Sequence, residues 1–244
     1  MNSVIRPAKT RKFKTKRNPV ILAVLVLLLV SGTSLMLYPC LMQTISQKQA
    51  EQTNREFLRQ MADEYSPEEK DELYLKMVEY NRILFESNQH NLVDAFAYEQ
   101  PDFILTEYGF AEEMIGYVQI PKMEIELPIY LGANRENLNN GVAHLTQTSL
   151  PVGGVNTNAV LAAHRGMPTA AMFRDLEKLE IDDIVYIVNF RETLTYQVVE
   201  TAIILPSEID KILIQPGRDL ISLVSCHPYG HNYQRYVVYA ERME

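Results

Sequence analysis

Hydrophobic and polar positions change rhythm three times along this chain. Val20 to Tyr38, VILAVLVLLLVSGTSLMLY, holds 19 residues without a charge. As a helix it would be about 28 Å long, close to the hydrocarbon thickness of a bilayer. A polar, charged segment follows from about 41 to 90. In it, Ser66-Pro67-Glu68-Glu69 reads as a helix start: Ser66 can cap, Pro67 suits the first turn and Glu69 can reach back. Leu73, Met77, Tyr80 and Leu84 then recur at helical spacing and predict one apolar stripe. Asn88 to Phe103 has little periodicity and predicts an irregular surface segment. From about Tyr108 the rhythm shortens to the runs IGYVQIP, IELPIYLG, NAVLAAH, DIVYIV, LTYQVVETAIIL, DLISLVSC and RYVVYAER, separated by Gly, Pro and Asn. Short strands at such spacing predict a mainly β body, a barrel or sandwich. One helical turn is expected to interrupt them, capped by Thr169, with Met172, Phe173, Leu176 and Leu179 on one face.

Charge sharpens this division. Residues 1–19 carry Arg6, Lys9, Arg11, Lys12, Lys14, Lys16 and Arg17 and no acid, while the whole chain has a net charge of -8. The remainder therefore stands at about −15 and gives no reason to expect nucleic-acid binding. A cleaved signal peptide would have a shorter apolar core and a small-residue exit, where this chain has the bulky LMLYPC. The same residues are a poor setting for lipidation of Cys40. The expected organisation is a basic cytoplasmic tail (1–19), an uncleaved membrane anchor (20–38), a helical stalk with an irregular segment (39–104) and a β body (105–244). Cationic flanks stay cytoplasmic, which puts the body outside the cell.

The two cysteines are Cys40, at the membrane boundary, and Cys226, in the body. They are badly placed to pair, and an unpaired thiol in an oxidising setting needs a reason to be kept. Cys226 closes the run DLISLVSC, and Arg235 opens RYVVYAER nine residues later. If these runs pair antiparallel, the two residues lie at the same end of the pair, about 4.5–5.5 Å apart. A guanidinium there can stabilise a thiolate or bind a developing oxyanion. His227 adjoins Cys226 and would point to the opposite face. His231 lies in the following loop, and His144 has no local chemical signature. His164 ends an apolar run just before Gly166 and Pro168, where a polar residue commonly faces a cleft. Metal binding through Cys226, His227 and His231 lacks the usual spacing and a fourth ligand. A buried structural thiol and a nucleophile both remain open on these grounds.

The segments GYVQIPKMEIELPIYLGA, GVAHLTQTSLPVGG, AAHRGMPTAAMFRDLEKLEIDDIVYI and LVSCHPYGHNYQR resemble, in order and spacing, the motifs of sortases. Among these, the chain is similar to class C, the pilin-polymerising sortases of Gram-positive bacteria. The resemblance spans roughly residues 70–240. It implies an eight-stranded β-barrel behind N-terminal helices, and a cysteine transpeptidase that needs neither cofactor nor metal. Such enzymes cut a Leu-Pro-x-Thr-Gly-type sorting signal through a thioester, which a pilin lysine resolves. The partners implied are pilins or surface proteins bearing that signal, an amine acceptor and the membrane. By position, Cys226 would be the nucleophile, His164 the general acid/base and Arg235 the stabiliser of substrate and oxyanion. The usual Thr-Leu-x-Thr-Cys appears as SLVSC, which puts Ser225 beside the substrate. The lid motif Asp-Pro-aromatic appears as Asp94-Ala95-Phe96, with Phe96 expected over Cys226 and Asp94 toward Arg235. Two other readings stay open: a sortase that attaches surface proteins to a cell-wall amine, and a silent scaffold on the same barrel. The intact Cys226, His164 and Arg235 argue against the scaffold.

Overall fold

The computed structural model describes residues 19–89 and 92–243; the basic tail lies outside them. Helix α1 runs over Pro19–Asp63, with Pro39 inside it. The part up to Leu41 is a unit of its own. It holds a window of mean hydropathy 2.7 with none of its surface buried, long and apolar enough to cross a membrane. Two of its hydroxyls turn back on the helix. Ser31 Oγ donates to the Leu28 carbonyl at 3.1 Å and Thr33 Oγ1 to the Leu29 carbonyl at 2.9 Å. That satisfies groups which a hydrocarbon phase would leave unpaired.

The second unit is Met42–Glu244. In it the later turns of α1 bury Phe57 and Met61 in the main core. Helix α2 (Pro67–Glu86) starts with the predicted capping box: the Glu69 N–H donates to Ser66 Oγ at 3.3 Å, and the Ser66 N–H donates to Glu69 Oε2 at 2.9 Å. Leu73, Met77 and Leu84 are buried as expected, while Tyr80 lies at the margin and donates its hydroxyl to Asp102 Oδ2 at 2.7 Å. Buried Asn81 pins the helix to the loop SLPVGG by bonding both backbone groups of Leu150, at 2.7 and 3.1 Å.

Among the described residues eight strands follow: β1 (Met114–Ile120), β2 (Ile125–Leu131), β3 (Val142–His144), β4 (Thr157–Ala162), β5 (Ile184–Asn189), β6 (Thr193–Ile204), β7 (Asp219–His227) and β8 (Gln234–Arg242). They close into a barrel in the order β1-β2-β3-β4-β7-β8-β6-β5, which leaves no free edge. The β2–β3 and β4–β7 pairs are parallel and the others antiparallel. Side chains alternate across the wall. Ile221, Leu223, Val238 and Ala240 join the main core within the barrel, whereas Val224, Val237 and Tyr239 join a second cluster on the other side of the same strands. The three-residue β3 and the short helix α3 (Arg135–Asn140), capped by Asn134 through a 2.9 Å bond from the Asn137 N–H, lie outside the predicted runs.

The helical turn expected after Thr169 is replaced by tight turns and a 3-10 turn at Leu176–Lys178. Met172 sits at φ 47, which no α-helix accommodates. The chain instead doubles back, so that the Phe173 N–H donates to the His164 carbonyl at 3.0 Å. Met172, Phe173, Leu176 and Leu179 are all buried nonetheless. Their spacing reported burial, and tertiary hydrogen bonds decided the backbone.

Candidate active site

The parallel pairing of β4 with β7 builds the site. Its register ends at Ala162 opposite Val224. His164 and Cys226 each lie two residues beyond that pair, so both chains deliver them to the same end of the barrel. Two further bonds hold the strand ends together: the Ala163 N–H donates to the Val224 carbonyl at 3.1 Å, and Ser225 Oγ donates to the Ala163 carbonyl at 2.8 Å. Ser225, expected beside the substrate, is thus fully buried and occupied as a tie between strands.

On the other side of β7, Cys226 stands directly opposite Arg235 of β8. Arg235 Nη1 lies 3.9 Å from Cys226 Sγ and donates to the carbonyls of Asn232 and Gln234 at 2.8 and 2.9 Å. Both residues share the face of Val224 and Val237, outside the barrel core. Burial pushes the Cys226 thiol up; Arg235 and Arg165 oppose that rise and Asp94 adds to it. Burial also pulls His164 down. Both shifts act in the direction of the uncharged forms, thiol and imidazole.

The segment after α2 covers this face. Leu92 and Ala95 are buried in the second cluster, and Asp94–Ala97 forms a turn closed by a 2.9 Å bond from the Ala97 N–H to the Asp94 carbonyl. Asp94 receives two parallel 2.7 Å hydrogen bonds from Arg235 Nε and Nη2. The Phe96 ring centroid lies 4.9 Å from the Arg235 guanidinium carbon and 6.1 Å from the centre of the His164 ring. Phe96, expected over the sulfur, thus lies against the two side chains that flank it. The segment is fastened beyond these contacts as well. Thr146 Oγ1 donates to the Gln100 carbonyl at 2.8 Å, and Gln147 Nε2 donates to Asp102 Oδ2 at 2.7 Å.

The remaining histidines stand apart. His144 is buried in β3, with Nε2 2.9 Å from the Ser149 carbonyl, and burial lowers its pKa. His231 lies in the exposed loop before β8, beside Tyr233. His227 Nδ1 lies 2.7 Å from Glu177 Oε1, close enough for an ion pair though off-line for a hydrogen bond. Among the described residues no cluster of His, Cys, Asp or Glu could hold a metal ion.

The arrangement can carry acyl transfer: a thiol, an adjacent imidazole to move its proton, and a guanidinium fork for a carbonyl oxygen. Comparison with known proteins bears on the same region. Residues 118–243 match the sortase-domain family. A sortase A of Bacillus anthracis is 27% identical over 180 residues, which is 72% of this chain and 82% of that protein. The crystal structure of Streptococcus pneumoniae sortase C superimposes with a TM-score of 0.72 at 32% identity, covering 79% of this chain and 97% of that one. A Clostridium perfringens sortase C solved with its C-terminal cell wall sorting motif gives 0.69 at 34% identity, covering 80% and 100%. With a closed eight-stranded barrel and a family match over more than half its length, this chain belongs to the sortases, the cysteine transpeptidases, and its structural neighbours are of class C.

Proposed function

We propose that this chain is a membrane-anchored transpeptidase that joins pilin subunits, with Cys226 as nucleophile, His164 as general acid/base and Arg235 as the stabiliser of the reacting carbonyl. The sulfur of Cys226 attacks the threonine carbonyl of a Leu-Pro-x-Thr-Gly-type signal while its proton passes to His164. Arg235 donates to the carbonyl oxygen as charge develops there. The C–N bond breaks as His164 returns the proton to the departing glycine amine, leaving a thioester. A pilin lysine amine then attacks the thioester, gives its proton to His164, and the sulfur leaves and regains a proton. The cycle consumes neither water nor a redox equivalent.

The observation that carries this reading is the convergence at one barrel end of Cys226, the opposed Arg235, and His164 just beyond the adjoining parallel strand. The docked Asp94–Phe96 segment and the class C neighbours favour a pilin acceptor. The similarity to a sortase A over 72% of the chain favours a second reading, transfer to a cell-wall amine. Seven cations ahead of an apolar helix support a cytoplasmic tail and an extracellular barrel. The full chain in detergent, incubated with candidate pilins, should give covalent ladders that disappear with Cys226→Ala. Products on a wall-peptide amine without ladders would replace the first reading by the second.

A further inference from the structure

The sequence motif AHRG contains a residue that the reaction above does not use. Arg165 directly follows His164, and its side chain is only 6% exposed. Nη1 donates to the Cys226 carbonyl at 3.1 Å, Nε donates to the Arg174 carbonyl at 3.0 Å, and Nη2 pairs with Glu177 Oε2 at 2.8 Å. One planar group thus joins the end of β7, the loop that folds back after His164, and the 3-10 turn.

The place of the first of these bonds is informative. The last backbone rung between β4 and β7 runs from Ala163 N–H to the Val224 carbonyl. In a parallel ladder the next bond donated from this side would run from Arg165 N–H to the Cys226 carbonyl. The backbone leaves the ladder there, and Gly166 turns at φ 92. The side chain of the same residue makes the bond its backbone gives up. His164 is thereby released from strand geometry while Cys226 stays in register. The far side is braced too: Glu177, paired with Arg165, also lies 2.7 Å from His227, the residue after Cys226. A single carboxylate therefore touches the successors of both His164 and Cys226.

We propose that Arg165, held by Glu177, is a positioning residue that fixes the alignment of His164 with Cys226 by substituting its guanidinium for the missing strand rung. This rests on the assignment of Cys226 and His164 above. The arginine also places a positive charge at the backbone of the sulfur-bearing residue, independently of Asp94, whose ion pair is with Arg235. The charged and titratable groups around Cys226 are then Arg235, Asp94, Arg165 and His164, with His227 and Glu177 on the side of Arg165.

The test uses the full chain in detergent with a sorting-signal peptide, comparing Arg165→Met, Arg165→Lys, Glu177→Gln and Cys226→Ala. Turnover is read as kcat and KM, and the thiol by its alkylation rate against pH. Misplacement on the ångström scale predicts a kcat lowered by about 10- to 100-fold in Arg165→Met, with KM changed far less. Its alkylation profile should move to higher pH. Arg165→Lys should restore the profile but not kcat, because a point charge cannot reach all three partners. Glu177→Gln, altered at a half-exposed carboxylate, should keep the fold and lose part of kcat. An Arg165→Met enzyme of parental kcat, or one whose loss lies only in KM, overturns the inference. If Arg165→Met does not fold, the lysine and Glu177→Gln variants decide: parental kcat in both overturns it equally. Cys226→Ala separates the two levels, since turnover without the thiol defeats the assignment of the nucleophile, whereas a dead alanine variant beside an unaffected Arg165→Met defeats the positioning role alone.

Discussion

Asp94 and Arg235, 141 residues apart, meet through two parallel hydrogen bonds of 2.7 Å, with the arginine side chain 7% exposed and the carboxylate 21%. The guanidinium proposed to receive a substrate carbonyl is thus occupied by the chain's own acid, and Phe96 lies against it. On that proposal a substrate displaces both, and the population of the open state scales the observed rate. Asp94→Ala combined with Phe96→Ala should speed alkylation of Cys226 by a small thiol reagent, tenfold for about each 1.4 kcal/mol of closure removed. Unchanged labelling would show that the segment does not guard the thiol.

The pH dependence has a definite sign. Burial raises the Cys226 thiol and the Asp94 charge raises it further, while Arg235 works in the other direction. Asp94→Ala removes the negative charge and frees the arginine, and both changes favour the thiolate. The alkylation profile of that variant should move to lower pH than the parent's. Movement to higher pH would contradict the placement of these charges.

Cys226→Ala should end acyl-enzyme formation while costing about 1 kcal/mol of stability, because the residue is half-buried at a strand end and the change removes a single atom. A covalent peptide adduct on the alanine variant, sought by intact-mass measurement, would remove Cys226 from its role.

His164→Ala should lose about 10²–10⁴-fold in turnover, far more than His231→Ala. His164 shares the strand end of Cys226, whereas His231 stands in an exposed loop beside Tyr233. Equal losses in a side-by-side kinetic comparison would show that the strand-end placement does not select the acid/base.

Arg235→Lys should stay strongly impaired in kcat although the charge is kept. The fork spans Asp94, the Asn232 and Gln234 carbonyls and the neighbourhood of Cys226 at once, and an ammonium cannot. Near-parental kcat would mean that Arg235 acts through its field alone.

The parts of this molecule that sequence revealed are those governed by local pattern. The opposition of Cys226 and Arg235 follows from two adjacent β-type runs, and the structure pairs them in that register. The capping box of α2 is written in four residues. The three-residue β3 is too short to show any alternation. The turn after Thr169 was misread because burial of Met172, Phe173, Leu176 and Leu179 imitates a helical stripe. Ala95, which stands where the lid motif has proline, is 1% exposed and packed in the second cluster, a burial that an irregular stretch does not announce. Arg165 went unused because its role requires the parallel pairing of β4 with β7, and that register connects residues too distant in the chain for spacing to reveal.

That same parallel register bears on how the catalytic domain can vary. The alignment of His164 with Cys226 is measured across the ladder, from Ala162 against Val224, and not along the polypeptide between them. Lengthening the loop that leaves β6 for β7 changes the contour of the chain but not this ruler, and closing a longer loop costs only about 0.6 kcal/mol per doubling. The anchors to preserve are several: Asn158 donates to the Ile212 carbonyl at 2.9 Å, the Ile214 N–H donates to Gln89 Oε1, and Tyr239 donates its hydroxyl to the Lys211 carbonyl at 2.9 Å. Insertions in this connection that spare those anchors therefore leave the spacing of His164 and Cys226 unchanged.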